Sequence, residues 1–334
     1  MGIIDIHSDI IHHLVEERKK GNKGVLDSYH YPILKEAGVS TLVMPLWVEK
    51  EYQKNLGFAR LIELLCGFGA EIQESKYFQV VQTIEDILEP GDKIPIILGL
   101  EGLCFVEQWP LSLKDEDEQI HQIFSFLKSF HIKHGILAWY EINKIASGTG
   151  AKDEGILGLS AFGKKVVKKM EKEGFIIDLS HVDDPSFWDV LEVVSGPVIC
   201  SHSNARTLCN HPRNLSDEQL KAIASCGGLV GVNAHWAFID PQNPTIHRFI
   251  DHIDHMAEQI GIEHIAFGFD FTNYIEMYNQ APGFRTAAGL DSVLCVPNLM
   301  KLLRERGYSE KELDAMAHTN FLKYLKKIWK KGGE

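Results

Sequence analysis

The 334 residues contain no CxxC pair, no apolar run long enough to cross a bilayer and no excess of positive charge. Each absence excludes something. The six cysteines (Cys66, Cys104, Cys200, Cys209, Cys226, Cys295) are widely spaced, so paired thiolate metal sites are not expected. Most sit in apolar surroundings such as LLCGF and VICSHS, where a small buried thiol is the simpler reading. No apolar stretch approaches the roughly 18 residues of a membrane-spanning helix. The opening residues lack the charged, apolar and small-residue regions of a secretory signal, and a soluble, cytoplasmic protein is expected. With 46 acidic against 34 basic residues the net charge is −12. Such a surface has no electrostatic reason to approach nucleic acid or an anionic membrane. Linkers, repeats and low-complexity segments are lacking too, and the basic run KKIWKKGGE at 326–334 reads as a frayed, solvated helix end.

What is present is 45% hydrophobic residues, enough for a large core, much of it in eight short β-type runs. They span 3–9, 39–47, 93–102, 134–143, 175–182, 197–203, 227–234 and 264–272. Near-continuous apolar strands suit a sheet covered on both faces, which means a parallel one. Helical patterns lie between them. In LSAFGKKVVKKMEKEG (159–174), Phe162, Val166, Val167 and Met170 recur at spacings of three and four. Ser216 before DEQLKAIASCGG has the chemistry of an N-cap, with Gly227 near the far end. DSVLCVPNLMKLLRERG and SEKELDAMAHTNFLKYLKKIW read as two closing helices. This alternation predicts an α/β fold, a (β/α)8 TIM barrel forming one domain over residues 1–334, with a doubly wound open sheet as the alternative. The connections at 10–38, 48–92 and 273–290 are long enough to shape a pocket.

Polar residues fall at one end of these strands. The first, IIDIHSDII, carries Asp5, His7 and Asp9; Glu101 ends the third; His181 and His202 end the fifth and sixth; Asp270 lies near the end of the eighth. In a (β/α)8 barrel all strand ends of one polarity face a shared mouth, so these groups converge. Residues i and i+2 of a strand share a face, which lets His7 and Asp9 point at one ion, with Asp5 deeper on that face as support. His181 and His202 form the other side, and Glu101 between the halves can bridge two ions with its two oxygens. Histidine with carboxylate suits zinc and also accommodates manganese, cobalt or iron. Taken singly, each of these residues reads as a structural hydrogen-bonding or capping group; five ligand-type residues on four strand ends point to metal. His252 and His255, three apart on a helix with no strand end beside them, read as structural. His12 and His13 can line the mouth, and Trp47, Trp139 and Trp236 read equally as pocket lining or packing.

DIHSD, GLEG, DLSHV, SHSNAR, HPRNLSDEQL and GFDF, taken together and in this order, resemble the membrane (renal) dipeptidases, amidohydrolase-like metal barrels. The resemblance covers essentially the whole chain, including the C-terminal segment GLDSVLCVPNLMKLLRERGYSEKELDAMAHTNFLKYL. It implies two zinc ions, one on His7 and Asp9 and the other on His181 and His202, with Glu101 bridging. It implies Asp270 as the catalytic aspartate and Arg213 as the anchor of a substrate's terminal carboxylate. The expected reaction is hydrolysis of dipeptides with a free C-terminus, some with a D-residue second, by a water activated between the metals. A homodimer is implied by the resemblance alone.

One departure stands out. Where family members often carry a histidine after the fourth strand, in an LTH context, this chain reads GILAWYEINKIASG. Trp139 or Tyr140 then takes the substrate-facing place, and neither becomes cationic as an imidazole can. Two further readings share the same residues. One is a related hydrolase acting on a lactone, an N-acyl amino acid or a β-lactam; the other is a non-catalytic metal-binding sensor.

Overall fold

The computed structural model describes residues 2–110, 115–151, 158–281, 283 and 285–329. Its strands are β1 (Ile3–Asp5), β2 (Val39–Trp47), β3 (Phe78–Val80), β4 (Ile94–Glu101), β5 (Ile132–Ile136), β6 (Ile176–Asp178), β7 (Ile199–Cys200), β8 (Leu229–Val232) and β9 (Ile265–Phe267). Parallel pairing runs β1–β2–β4–β5–β6–β7–β8–β9 and returns to β1, where Asp5 lies opposite Phe267. The ring is closed, which settles the TIM barrel over the open sheet. β3 lies in the connection 48–92, where no strand was expected. It pairs with the start of β4, Phe78 opposite Ile94 and Val80 opposite Ile96. Three residues are too few to show a period.

Several strands stop earlier than their apolar runs suggested. β1 ends at Asp5 instead of Asp9, and β6 at Asp178, short of His181. A carboxylate ends each ladder. Asp5 Oδ1 accepts the backbone N–H of His7 at 3.3 Å and of Phe269 at 3.0 Å. Asp178 Oδ1 accepts those of Ser180 at 2.9 Å and Ser201 at 3.0 Å. A side-chain acceptor replaces a neighbouring strand's carbonyl, so the backbone turns off the barrel with its amides satisfied. β5 ends at Ile136, which puts Trp139 and Tyr140 on a loop and not in the run 134–143.

Ile4, Ile6, Val43, Ile97, Ile176, Ile199, Leu229 and Ala266 form one apolar cluster, drawn from around the ring. Residues from so many strands can meet only inside the barrel. Phe321, Tyr324 and Leu325 of the helix Asn320–Ile328 join that cluster and close the end where the strands begin. The opposite end is left for polar groups. Between barrel and outer helices lies the larger core, to which the helix Ala161–Lys172 contributes Phe162, Val166, Val167 and Met170. Ser216 caps the helix Asp217–Ser225 in a capping box with Gln219, and Gly227 follows at φ 76°. Such a cap is worth about 1 kcal/mol.

The basic C-terminal run is helical to Ile328, and Trp329 Nε1 donates to the Gly174 carbonyl at 2.8 Å, so its start is anchored and not frayed. Residues 330–334 lie outside the described residues. All six cysteines are free. Among the described residues no helix is long and apolar enough to cross a membrane.

Candidate metal centre

The polar strand ends do meet. Glu101 is the last residue of β4, His7 lies two residues beyond β1, His181 three beyond β6, His202 two beyond β7 and Asp270 three beyond β9. Asp9 is the N-cap residue of the helix Ile10–Lys19, so a turn, and not strand parity, brings it back to His7. His7 Nε2 is 3.5 Å from Asp9 Oδ1, 3.7 Å from Glu101 Oε2 and 4.0 Å from Asp270 Oδ1. On the other side His181 Nε2 is 2.8 Å from Glu101 Oε1 and 2.9 Å from His202 Nε2. Glu101 thus faces both halves, one oxygen each. Asp5 Oδ1 accepts the His7 backbone N–H and so helps fix where that residue leaves the strand.

Two of these residues hold costly backbones. His181 has φ 68° and Asp270 φ 58°, the left-handed region that side chains with a Cβ avoid at about 1–2 kcal/mol each. Local bonds hold both in place. The His181 carbonyl accepts the Thr149 N–H at 2.8 Å, and the Asp270 N–H donates to the His7 carbonyl at 3.3 Å. Ser201 Oγ sits 2.8 Å from His202 Nδ1 and turns the ring so that Nε2 faces His181.

The cluster is short of positive charge. Burial opposes protonation of His7, yet Glu101, Asp9 and Asp270 outweigh it and raise its pKa to about 10. Burial drives His181 and His202 far below the usual imidazole range, so both stay neutral. Burial also pushes the Glu101 and Asp270 carboxyls up. His7 Nε2 and Asp9 Oδ1 are buried with no hydrogen-bond partner among the described residues. Two neutral imidazole nitrogens at contact distance share at most one proton, and the carboxylates supply only lone pairs. A divalent cation answers all of this at once. The ligand atoms of His7, Glu101 and His202 lie within 4.8 Å of one another, as do those of His7, Asp9 and Asp270. These donors fit a metal centre with nitrogen and oxygen ligands.

A third close group, His12, Glu16 and Glu49, is already neutralised. Arg60 donates to Glu49 Oε2 at 2.9 Å and to Glu16 at 3.0 Å, and His12 Nε2 is 2.8 Å from Glu49 Oε1. His252 and His255 are structural, as expected. His252 bonds the Ile239 carbonyl at 2.9 Å, and His255 bonds Asp217 at 2.8 Å.

Arg213 lies against this cluster and is buried. One guanidinium nitrogen donates to the His202 carbonyl at 3.1 Å, its Nε has no partner, and among the described residues no carboxylate comes within salt-bridge distance. The Tyr140 ring stands edge-on to His181 at 5.1 Å and the Trp139 ring lies 6.1 Å from it. Burial raises the Tyr140 phenol's pKa, while the adjacent Arg213 charge pulls it down.

Asn233, just past β8, was missed. Its Nδ2 donates to Asp270 Oδ2 at 3.0 Å. The strand-end rule that found the other residues reaches it, but an amide neither binds metal well nor carries protons, so its type raised no flag. His134 was missed as well; it pairs with Asp178 Oδ2 at 2.8 Å beneath the site.

Residues 1–331 match the family model of membrane dipeptidase, peptidase family M19. A protein described as uncharacterized, from the pqqA 5′ region of Klebsiella pneumoniae, is 35% identical over 202 residues, 57% of this chain and 70% of that one. The dipeptidase verJ of Clonostachys rogersoniana is 28% identical over 236 residues, 71% of this chain but only 56% of its own length. The chain therefore matches little more than half of that relative. Among solved structures, a metallo peptidase from Rhodobacter sphaeroides, liganded with a phosphinate mimic of L-Ala-D-Ala, has a TM-score of 0.83 at 20% identity, covering 98% of this chain and 99% of that one. That likeness is one of fold. With a single family model spanning its length over a closed barrel of this kind, the chain belongs to the membrane dipeptidase family, peptidase family M19.

Proposed function

We propose that this chain is a zinc-dependent dipeptidase cleaving dipeptides with a free C-terminal carboxylate, including those with a D-residue second. Arg213 carries the reading. A buried guanidinium with no carboxylate at salt-bridge distance among the described residues, beside a histidine and carboxylate cluster, asks for an anion from a ligand. A substrate carboxylate matches it bidentately and sets the length of peptide that fits.

His7 and Asp9 would hold one ion and His181 and His202 a second, with Glu101 between them. Bound divalent ions supply Lewis acidity and a water of near-neutral pKa. Asp270 takes the proton of the attacking water and passes it to the departing amine, acting as general base and then general acid. Trp139 and Tyr140 wall the His181 side, each able to donate one hydrogen bond to the substrate. The D-residue clause draws on the likeness to the Rhodobacter sphaeroides protein and its L-Ala-D-Ala mimic. A homodimer belongs to this proposal through the family resemblance and is tested by sedimentation.

The decisive experiment is hydrolysis of paired L-Xaa-L-Xaa and L-Xaa-D-Xaa dipeptides after zinc reconstitution, with C-terminally amidated versions alongside. Chelator-sensitive cleavage of the free dipeptides alone is the expected result. Equal cleavage of the amides removes the Arg213 anchor. No cleavage with metal bound overturns the dipeptidase reading and leaves lactones and acyl amino acids to be tried.

A further inference from the structure

Asn233 holds more contacts than a filler of space requires. It is fully buried, and so is Asn204, which clamps its backbone from both sides. Asn204 Nδ2 donates to the Asn233 carbonyl at 2.9 Å, and the Asn233 N–H donates to Asn204 Oδ1 at 3.0 Å. The side chain is equally committed. Nδ2 donates to Asp270 Oδ2 at 3.0 Å and to the His202 carbonyl at 3.4 Å, while Oδ1 accepts the His235 N–H at 2.6 Å. Turned over, the amide would set its oxygen against a carboxylate and its NH2 against an N–H. Its orientation is therefore fixed, with the donor toward Asp270.

That has a consequence for the aspartate. With Oδ2 engaged by Asn233, the oxygen left facing the cluster is Oδ1, 4.0 Å from His7 Nε2. The Asp270 backbone, at φ 58°, is in a conformation it would not keep unaided. The same His202 carbonyl that receives Asn233 also receives Arg213 at 3.1 Å. One amide thus ties the aspartate to the His202 backbone, whose carbonyl the buried arginine also holds.

We propose that Asn233 is a positioning residue that reserves Asp270 Oδ1 for the reacting proton by occupying Oδ2. This rests on the dipeptidase reading, in which Asp270 carries that proton. In this reading Asn233 acts through Asp270 and takes no part in binding substrate or metal.

The test is a double-mutant cycle on the zinc-reconstituted protein with a cleaved dipeptide. Loss of one charge-assisted hydrogen bond predicts that Asn233→Ala lowers kcat roughly 10- to 100-fold, with KM and zinc content little changed. In an Asp270→Asn background the same change should cost less than about threefold, because the residue acts through the carboxylate already removed. Should the alanine variant be insoluble, Asn233→Asp keeps the shape and the acceptor for His235 while losing both N–H groups. It should lose at least as much kcat at alkaline pH. Full kcat in either soluble variant, or losses that simply add in the cycle, overturns the proposal. An Asp270→Asn variant with wild-type turnover is a different outcome. It refutes the proton-carrier reading of Asp270, and the role of Asn233 falls with it.

Discussion

Arg213→Ala should separate substrates by their C-terminus. Arg213 is 3% exposed and its Nε has no partner among the described residues, so a carboxylate docking there is largely desolvated. Truncating one partner of such a pair costs about 2–5 kcal/mol. At 1.4 kcal/mol per factor of ten this is a fall of roughly 30- to 4,000-fold in kcat/KM for a free dipeptide. The amidated dipeptide offers only a neutral acceptor to the charged guanidinium, whose loss is worth about 1.5–3 kcal/mol, or roughly 12- to 140-fold. The discriminating quantity is the ratio of the two substrates' kcat/KM, expected to shift toward the amide by roughly 2- to 30-fold when the two losses are compared at matching ends of their ranges. Arg213→Lys should fall between, since an ammonium cannot reproduce the bidentate fork. Zinc content should stay at the wild-type level, because the side chain contacts the His202 carbonyl and not its ring. The assay is steady-state hydrolysis of both substrates by both proteins, with zinc measured in each sample. A parallel fall for dipeptide and amide would refute the anchor, and the effect would then belong to the lost bond on the His202 carbonyl.

Other expectations follow from the same geometry. Asp270→Asn should keep its metal and lose kcat by about 10²- to 10⁴-fold, the range for removing a proton-transfer group; turnover within a few-fold of wild type would refute that role. His181→Ala removes a nitrogen 2.8 Å from Glu101 and should lower zinc stoichiometry by elemental analysis, while chelation abolishes activity that added zinc restores; unchanged stoichiometry would take His181 out of the ligand set. Acid stability should depend on Glu49. Burial works to raise its pKa, but His12 and Arg60 prevail and hold it at about 2, against an ordinary 4.5. A folded pKa below the unfolded one means stabilisation that is full above about pH 4.5 and is lost as pH falls through about 2. Glu49→Gln should lower stability at pH 7 and flatten that acid limb in urea unfolding; an unaltered limb would show that the ion pair contributes nothing.

Much of this was legible in one dimension. Apolar runs alternating with amphipathic helices imply a barrel, and barrel topology gathers every strand end of one polarity at one mouth. Chain order alone therefore brings His7, Glu101, His181, His202 and Asp270 together, without knowledge of any distance. Local chemistry was equally readable. The Ser216 cap and the buried face of 161–172 follow from spacing within a few residues.

What the tertiary structure decided depends on contacts between distant parts of the chain. Asp5 ends β1 partly through Phe269, 264 residues away, and no local pattern reports that bond. The closure of the ring rests on the same meeting of first and last strands. Arg213 looked like any loop arginine; only folding shows it buried and, among the described residues, without a salt-bridge partner. Asn233 and Asp270 lie 37 residues apart, and the amide acquires its meaning from the oxygen it holds. Residue type and spacing determined which chemistry could assemble here. Which atom faces which was decided by packing, because burial turns each unpaired donor or acceptor into a constraint that only a particular distant partner can satisfy.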